Sequence, residues 1–431
     1  MTKNTKIGDY VKSYTKGITP SYVEKSSLMI LNQKCIRNNR IDYSFAQYCD
    51  STKSLSQPKI VKKGDVLLNS TGKGTAGRTA FVNDVPKDIV LTVDSHVLIL
   101  RFESYEVARS INYLLFQNEK LIQSFLDGST GQGELDRVRL FNLIIDLPHQ
   151  IESQKKAVNF LELLDCKIDL NKEIIEELER LSNLLYNYWF VQFEFPNDEN
   201  KPYKSSGGRM IWCDLYQGEI PYGWETSKLN DVVTTGKNGD WGKDVNVGNY
   251  LLKVNCIRGA DINGIMGLED SNPPIRYIFE KNKNKLLGPY DLIIEISGGG
   301  PNQSTGRLAY LTEATLDRFS NDLICSNFCK AVSLIEKRYF FNFIHHWNFL
   351  YKNKIFFSYE GKTSGLKNLL LDSVLDTCHI VLPTADIAEN FFTIRSKYEE
   401  KKQRLLSENL ELNNFRKMTL PILMSGEIKI I

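Results

Sequence analysis

Three glycine-rich stretches are the first places where this 431-residue sequence could hold a phosphate or a dinucleotide. Gly72-Lys73-Gly74-Thr75-Ala76-Gly77 has the G-x-G-x-x-G spacing that lets backbone N–H groups approach a pyrophosphate, and it follows a strand-like run. That chemistry needs a helix to open at the last glycine. Arg78-Thr79-Ala80-Phe81-Val82 is instead β-branched and aromatic, which predicts a strand. Gly361-Lys362-Thr363 ends like a phosphate-binding loop, but Phe356 stands where its first glycine belongs. Gly128 and Gly133 have that loop's spacing, and Glu134 then occupies the lysine position. All three fail at a required residue.

Asn272-Pro273-Pro274-Ile275 looks like the Asn-Pro-Pro-aromatic motif with which adenine-N6 methyltransferases stack on a flipped base. Its fourth residue is aliphatic, no upstream Gly-rich AdoMet loop accompanies it, and the sequence reads as a turn. His96, His149, His345, His346 and His379 have neither metal nor triad spacing. Eight cysteines are scattered; the closest pair, Cys325 and Cys329, lacks a second pair, so free thiols in a reducing cytoplasm are expected. With 42% hydrophobic and 25% charged residues the chain reads as a soluble globular protein. No apolar run reaches the roughly 20 residues needed to span a bilayer, and Met1-Thr2-Lys3-Asn4-Thr5-Lys6 does not open a signal peptide. A net charge of +2 means that any nucleic-acid surface must come from local clustering.

The elements that would position functional residues occur twice. Cys35-Ile36-Arg37 matches Cys256-Ile257-Arg258, and Gly64–Leu68 matches Tyr290–Ile294. Gly77–Val82 matches Gly306–Leu311, Gly128–Gly131 matches Gly361–Gly365, and Leu147-Pro148 matches Leu382-Pro383. Leu170-Asn171 matches Leu412-Asn413. The separation grows steadily from 221 (35 to 256) through 229 (77 to 306) and 235 (147 to 382) to 242 (170 to 412). Ordered matches of this length indicate a duplicated domain, not a solenoid with a period of roughly 20–50 residues. Strands are expected at 65–68, 80–82, 96–102 and 143–147, with a helix over 107–126. The second half repeats them at 291–296, 308–311 and 379–382, with a helix over 339–351.

Each half closes with a long helix. Ala157, Leu161, Leu164, Ile168, Asn171, Ile175, Leu178, Ser182 and Leu185 alternate spacings of four and three, which predicts a coiled-coil seam in a helix over 150–190. At ~1.5 Å per residue such a helix is roughly 60 Å long. Asn171 within the seam can fix register and partner at a cost in stability. A weaker pattern over 387–418 uses Phe391, Ile394, Tyr398, Leu405, Leu412 and Phe415, interrupted by Lys401 and Glu408; Pro421 should end that helix by about Leu420. The two helices are expected to pair antiparallel. A polar linker over 196–209 separates the halves.

In this order and duplication the sequence resembles the specificity subunit of Type I restriction-modification systems over essentially the whole chain. The resemblance is carried by Lys63–Leu67, Leu147-Pro148, Lys167–Asn171, Tyr188–Phe193, Tyr203–Gly208 and Ile220–Trp224. Leu423–Ile428 also resembles the family's usual C-terminus, implying a chain complete at that end. It implies a mixed α+β fold with two homologous target-recognition domains (1–149 and 215–384), separated by an antiparallel two-helix coiled coil (150–214 and 385–431) with pseudo-two-fold symmetry. It further implies a non-catalytic, cytoplasmic subunit whose two domains each read half of a split double-stranded DNA target. Two modification subunits would bind AdoMet and methylate adenine, restriction subunits would use ATP and Mg, and this chain would hold no cofactor. Half-sites one DNA turn apart lie ~34 Å from each other, a distance the coiled coil would set.

Candidate DNA contacts come from equivalent loops, Ser70–Arg78 with Lys73 and Arg78, and Ser297–Arg307 with Asn302, Gln303 and Arg307. Arginine reads guanine, asparagine and glutamine read adenine, and lysine holds phosphate. The recurrence of these loops equally suits a shared framework of turns. Lys237, Asn238 and Lys243 have no twin and are further candidates. Within the same fold a methylation-only or fused-type system is the alternative; from other classes, a coiled-coil protein scaffold or a stand-alone methyltransferase.

Overall fold

The computed structural model describes residues 2–51, 55–127, 133–148, 150–234, 236–268, 272–300, 302–363 and 366–426. Gly128–Gly131, one side of the fourth sequence match, lies outside these residues, as do Ser364 and Gly365 on the other. The chain divides into two compact units, Met1–Asp169 with Leu410–Ile431, and Leu170–Asn409.

In chain order the first unit supplies β1 (Ser13–Lys16), β2 (Leu28–Leu31), β3 (Gln47–Cys49), β4 (Val66–Asn69), β5 (Thr79–Phe81), β6 (Val90–Val93) and β7 (Val97–Arg101). Helix α1 (Tyr105–Gln117) follows. Strands β1, β7, β4 and β5 form an antiparallel sheet in that order. A smaller sheet runs β6, β2, β3 and the short strand Tyr22–Val23, with β6 parallel to β2. Val66, Leu68, Leu98 and Leu100 bury one face of the large sheet under Ile111, Tyr113 and Leu115 of α1, while Leu67 and Ile99 bury the other. This period-two burial on both faces explains the near-continuous apolar sequence of β4 and β7.

The second unit repeats this plan for the seven numbered strands, with no counterpart of Tyr22–Val23 in its small sheet among the described residues. It supplies β8 (Lys237–Asn238), β9 (Tyr250–Ile257), β10 (Ile275–Phe279), β11 (Asp291–Glu295), β12 (Leu308–Tyr310), β13 (Leu323–Cys325) and β14 (Cys329–Ser333). The large sheet runs β8, β14, β11, β12, and the small one β13, β9, β10, again with one parallel pair, β13 with β9. Helix α2 (Ile151–Tyr186) starts in the first unit and ends in the second, continuing as a π-helical turn over Asn187–Val191. The second unit's own helix α3 (Phe340–Lys352) matches α1, and α4 (Ala385–Met424) runs back from the second unit into the first.

Three expectations need correction. The tripeptide match of Cys35 with Cys256 is fortuitous: Leu31 pairs with Val93 as Ile257 pairs with Cys325, so Leu31 is the counterpart of Ile257. Cys35 falls in a 3-10 turn, Gln33–Cys35, equivalent to Gly259–Asp261. The helix expected over 107–126 is two helices, because Asn118 caps α1 and a second segment, Glu119–Gln123, follows. Helix α4 continues through Pro421 to Met424. The proline ring is exposed and removes one hydrogen bond, while Leu420, Leu423 and Met424 join Ala157 and Leu161 in the first unit's core.

The seam expected on α2 is present. Leu161, Ile168, Asn171, Ile175 and Ser182 are buried; Leu164, Leu178 and Leu185 are half-buried. The helices pair antiparallel within each unit. In the second, Asn171 meets Asn409, Glu179 meets Lys402 and Tyr186 meets Phe391. In the first, Asp165 meets Arg416. On α4, however, the inner face is charged, with Arg395, Glu399, Lys402, Asn409 and Arg416 all buried, whereas Phe415 is 48% exposed. The apolar frame expected for α4 is therefore displaced, with only Phe391 and Leu405 of its six residues fully buried.

Two buried histidines of α3 should make the second unit acid-sensitive. His345 stacks on Tyr186 at 4.6 Å, and burial, helped by Arg395 and Lys352, holds it well below the ordinary histidine value. Burial likewise pushes His346 down to about 4. Below pH ~6.5 the unfolded chain takes protons that the folded unit refuses, so stability falls with falling pH by about 1.4 kcal/mol per pH unit for each histidine. Thermal melting from pH 7 to 5 should show this decline, and His345→Phe should flatten it; equal slopes in both proteins would refute the assignment.

Candidate nucleic-acid interface

The two matching loops leave the same strand in each unit and return as the next. Before the returning strand, Gly77 and Gly306 have φ of +83° and +99°. A Cβ at Gly77 would lie 2.9 Å from the Glu119 carbonyl oxygen, and one at Gly306 2.6 Å from the Phe356 ring. Left-handed backbone and close approach both demand glycine there. The glycines of this loop thus serve the chain's own packing, and Gly72–Gly77 leads into strand β5, as its sequence predicts.

The arginines after these glycines are turned inward. Arg307 donates to both oxygens of Glu295 at 2.8 and 2.7 Å, and Glu295 is buried. That fork raises the guanidinium pKa and occupies the two donor edges a guanine would need. Arg78 lies 3.9 Å from Glu119. Lys237 donates to Asp291 at 2.7 Å and to the Leu286 carbonyl at 3.1 Å. Its equivalent in the first unit is an ion pair of Arg101 with Asp65, at 2.8 and 3.0 Å. These pairs hold the loop that precedes β4 or β11, through Lys62 N–H on Asp65 and Gly288 N–H on Asp291.

The remaining candidates are exposed: Lys73, Asn238, Lys243, Asn302 and Gln303. The Gln303 carbonyl accepts from Lys367 at 3.2 Å, and the Lys243 ammonium sits 5.8 Å from the Tyr250 ring centre. Asn272-Pro273-Pro274-Ile275 forms the entry to β10: the Pro273 carbonyl accepts from Asn255 and the Pro274 carbonyl from the Cys256 N–H. His96 accepts or donates to Thr71 at 2.9 Å, tying down the first loop, and His149 lies outside the described residues. All eight cysteines are free thiols, and burial pushes Cys256, Cys325 and Cys329 up to about 12. Among the described residues no group of three His, Cys, Asp or Glu could hold a metal ion, and no helix is long and apolar enough to cross a membrane.

Sequence reasoning missed two buried polar hubs that fasten the domains to the helices within each unit. Asp165 of α2 accepts from Tyr113 at 2.6 Å and Arg109 at 3.3 Å, both on α1, and pairs with Arg416 of α4. Glu399 of α4 accepts from Tyr310 of β12 at 2.7 Å and Gln403 at 2.6 Å, with Lys402 at 3.5 Å. Counted from the starts of their helices, Ile151 and Ala385, the two carboxylates occupy the same position. The signal available in the sequence was the spacing of Arg395, Glu399, Lys402, Asn409 and Arg416, which is itself a heptad pattern.

Residues 4–180 match the family described as Type I restriction modification DNA specificity domain. The whole chain aligns at 24% identity with 90% of the Type I restriction enzyme MjaIX specificity subunit of Methanocaldococcus jannaschii. A stretch of 142 residues, 32% of this chain and 30% of the relative, is 32% identical to the HindI specificity subunit of Haemophilus influenzae. The fold is similar to the crystal structure of the Type I restriction-modification S subunit from M. genitalium, with a TM-score of 0.52 at 11% identity over 98% of this chain and 96% of that one. The chain is thus similar along its whole length to a Type I restriction enzyme specificity subunit, and residues 4–180 carry the match to the DNA specificity domain.

Proposed function

We propose that this chain is the non-catalytic reader of a Type I complex. Each domain recognises one half of a bipartite double-stranded DNA target, and the paired helices set the gap between the halves. The observation that carries this reading is the duplication of the seven numbered strands, joined by two continuous helices. Lys73, Asn238, Lys243, Asn302 and Gln303 are the exposed contacts of choice among the loop residues, with Arg78, Lys237 and Arg307 committed to the frame. Two modification subunits, which would bring AdoMet, dock on the helices. Each unit offers them apolar helical positions: Leu163, Phe415 and Met418 in the first, Leu170, Leu181 and Leu184 in the second, all 42–71% exposed. Restriction subunits, which would bring ATP and Mg, complete the assembly.

The test is a gel shift of this chain with its modification subunit on duplexes carrying the motif methylated in the host. If 6–10 phosphates are contacted, affinity should fall roughly 10³-fold or more between 50 and 200 mM salt. Salt-independent binding, or none, would favour the protein scaffold. The isolated chain should show no AdoMet-dependent methylation of DNA, and turnover abolished by Asn272→Ala would revive the stand-alone enzyme.

A further inference from the structure

Residues that discriminate base sequence must face solvent and must differ between units that read different half-sites. In the small sheets such positions lie in the second unit, where Lys253 and Ile275 are exposed, whereas Met29 packs on the core and Asn255 is buried. One face of each is buried, by Leu28, Ile30 and Cys49 in the first unit and by Val254, Cys256 and Ile278 in the second. On the opposite face of the first, Met29 stands across from Tyr48. In the second, Asn255 stands across from Ile275, Lys253 from Tyr277, and Tyr250 from Phe279. The pairing that makes Leu31 the counterpart of Ile257 also makes Met29 the counterpart of Asn255, and Tyr48 that of Ile275. The same face of the same sheet thus carries different chemistry.

The second unit's face is the more strongly marked. Tyr250 and Phe279 stack with centroids 4.0 Å apart, and their outer sides are flanked by cations: the Lys243 ammonium at 5.8 Å from Tyr250 and that of Lys281 at 5.1 Å from Phe279. Lys253 and Ile275 are exposed beside them. The carboxylates nearest in the chain are already engaged, Asp240 by Asn282, Asp244 by Arg276 and Glu280 by Lys283. Lys243, Lys253 and Lys281 therefore present their charge to solvent, with no carboxylate partner among the described residues. B-form DNA admits a two-stranded β-ribbon to its major groove, where lysines hold phosphate and polar or apolar side chains read base edges and thymine methyls.

We infer that the open face of the β9–β10 ribbon is the duplex-DNA contact of the second unit, with Lys243, Lys253 and Lys281 on phosphates and Ile275 and Tyr277 on base edges. This rests on the DNA-reading function proposed above. The test uses the chain assembled with its modification subunit. Combined Lys243→Ala, Lys253→Ala and Lys281→Ala should make the slope of log affinity against log salt shallower by two to three, at ~0.9 per phosphate contact. Tyr277→Phe and Ile275→Ala should relax the methylated motif at one half-site and leave the other half and the gap unchanged. Unchanged slope and motif in all variants, with melting temperatures near the parent's, overturn the inference while DNA reading stands. A parent complex that methylates no bipartite motif removes the DNA-reading function itself, and this inference with it.

Discussion

Replacing Lys402 by methionine is expected to destabilise the second unit by about 3–5 kcal/mol, the cost of leaving a buried carboxylate without its cation. Lys402 and Glu399 are each 1% exposed. Burial alone would push Glu399 up and Lys402 down. Instead Lys402 and Arg395 hold Glu399 below the usual carboxylate range, while Glu399, Tyr310 and Glu179 raise Lys402. The ammonium also donates to Glu179 at 2.6 Å, and so links the facing helix to the hub. Without it Glu399 keeps Arg395, at 4.0 Å, and the charge of Arg318, which is engaged with Gln403. For a unit of this size the melting temperature should drop by about 10 °C. Adding Glu399→Gln should recover more than half of the loss, since the amide can still accept from Tyr310 and no unpaired charge remains. Arg180→Ala, which removes an exposed pair with Glu177, should leave melting unchanged. A Lys402→Met protein that melts like its parent would mean that water already satisfies Glu399. The sign of the pH dependence follows from the depressed carboxylate: its contribution is present above pH ~4.5 and is lost as pH falls through the folded value.

This hub shows where reading the sequence stopped and why. Apolar periodicity identified the seam of α2 because Leu161, Ile168 and Ile175 bury hydrocarbon at heptad spacing. The same criterion misframed α4, whose inner face buries Arg395, Glu399, Lys402 and Arg416; a hydropathy pattern counts such residues as solvent-facing although their partners come from elsewhere in the fold. The duplication was legible where both copies obey one backbone demand, as Gly77 and Gly306 do. It misled at Cys35, which ends a turn in one copy while Cys256 lies within a strand in the other. The small sheets went unseen. Their strands mix Lys253 and Asn255 into apolar runs, and they draw their pairing from residues up to 68 positions away, Asn255 on Leu323. Candidate contacts suffered from the same blindness to partners: Arg307 has the right chemistry for guanine, and only the fold shows Glu295 already in its fork.

The largest functional change should come from lengthening the helices. If they set the gap in the target, adding one heptad to each should lengthen the gap and leave both half-sites unchanged. Seven residues preserve the seam, whereas other lengths rotate it. An insertion at Glu173 needs its match where α4 faces it. Asn171 meets Asn409 and Glu179 meets Lys402, so the matching site is near Ser407 and Glu408, six residues before the Asn413 that the sequence repeat alone suggests. Placed at Asn413, the extra residues would shift Glu408 and Asn409 against Asn171 while leaving Glu179 with Lys402 and Asp165 with Arg416 in register. A heptad adds ~10 Å of helix, and a base pair rises ~3.4 Å, so the gap should grow by up to about three base pairs. Smooth bending of DNA can absorb part of this at a few kcal/mol, which makes one to three base pairs the expected range. The measurement is the motif methylated in the host by the double insertion and by its parent. A changed half-site with an unchanged gap would mean that the helices take part in reading bases. A lengthened gap flanked by the parent's half-sites is the result expected of a spacer, and the insertion at Glu173 alone, which breaks the pairing of Asn171 with Asn409 and Glu408, should give no stable complex at all.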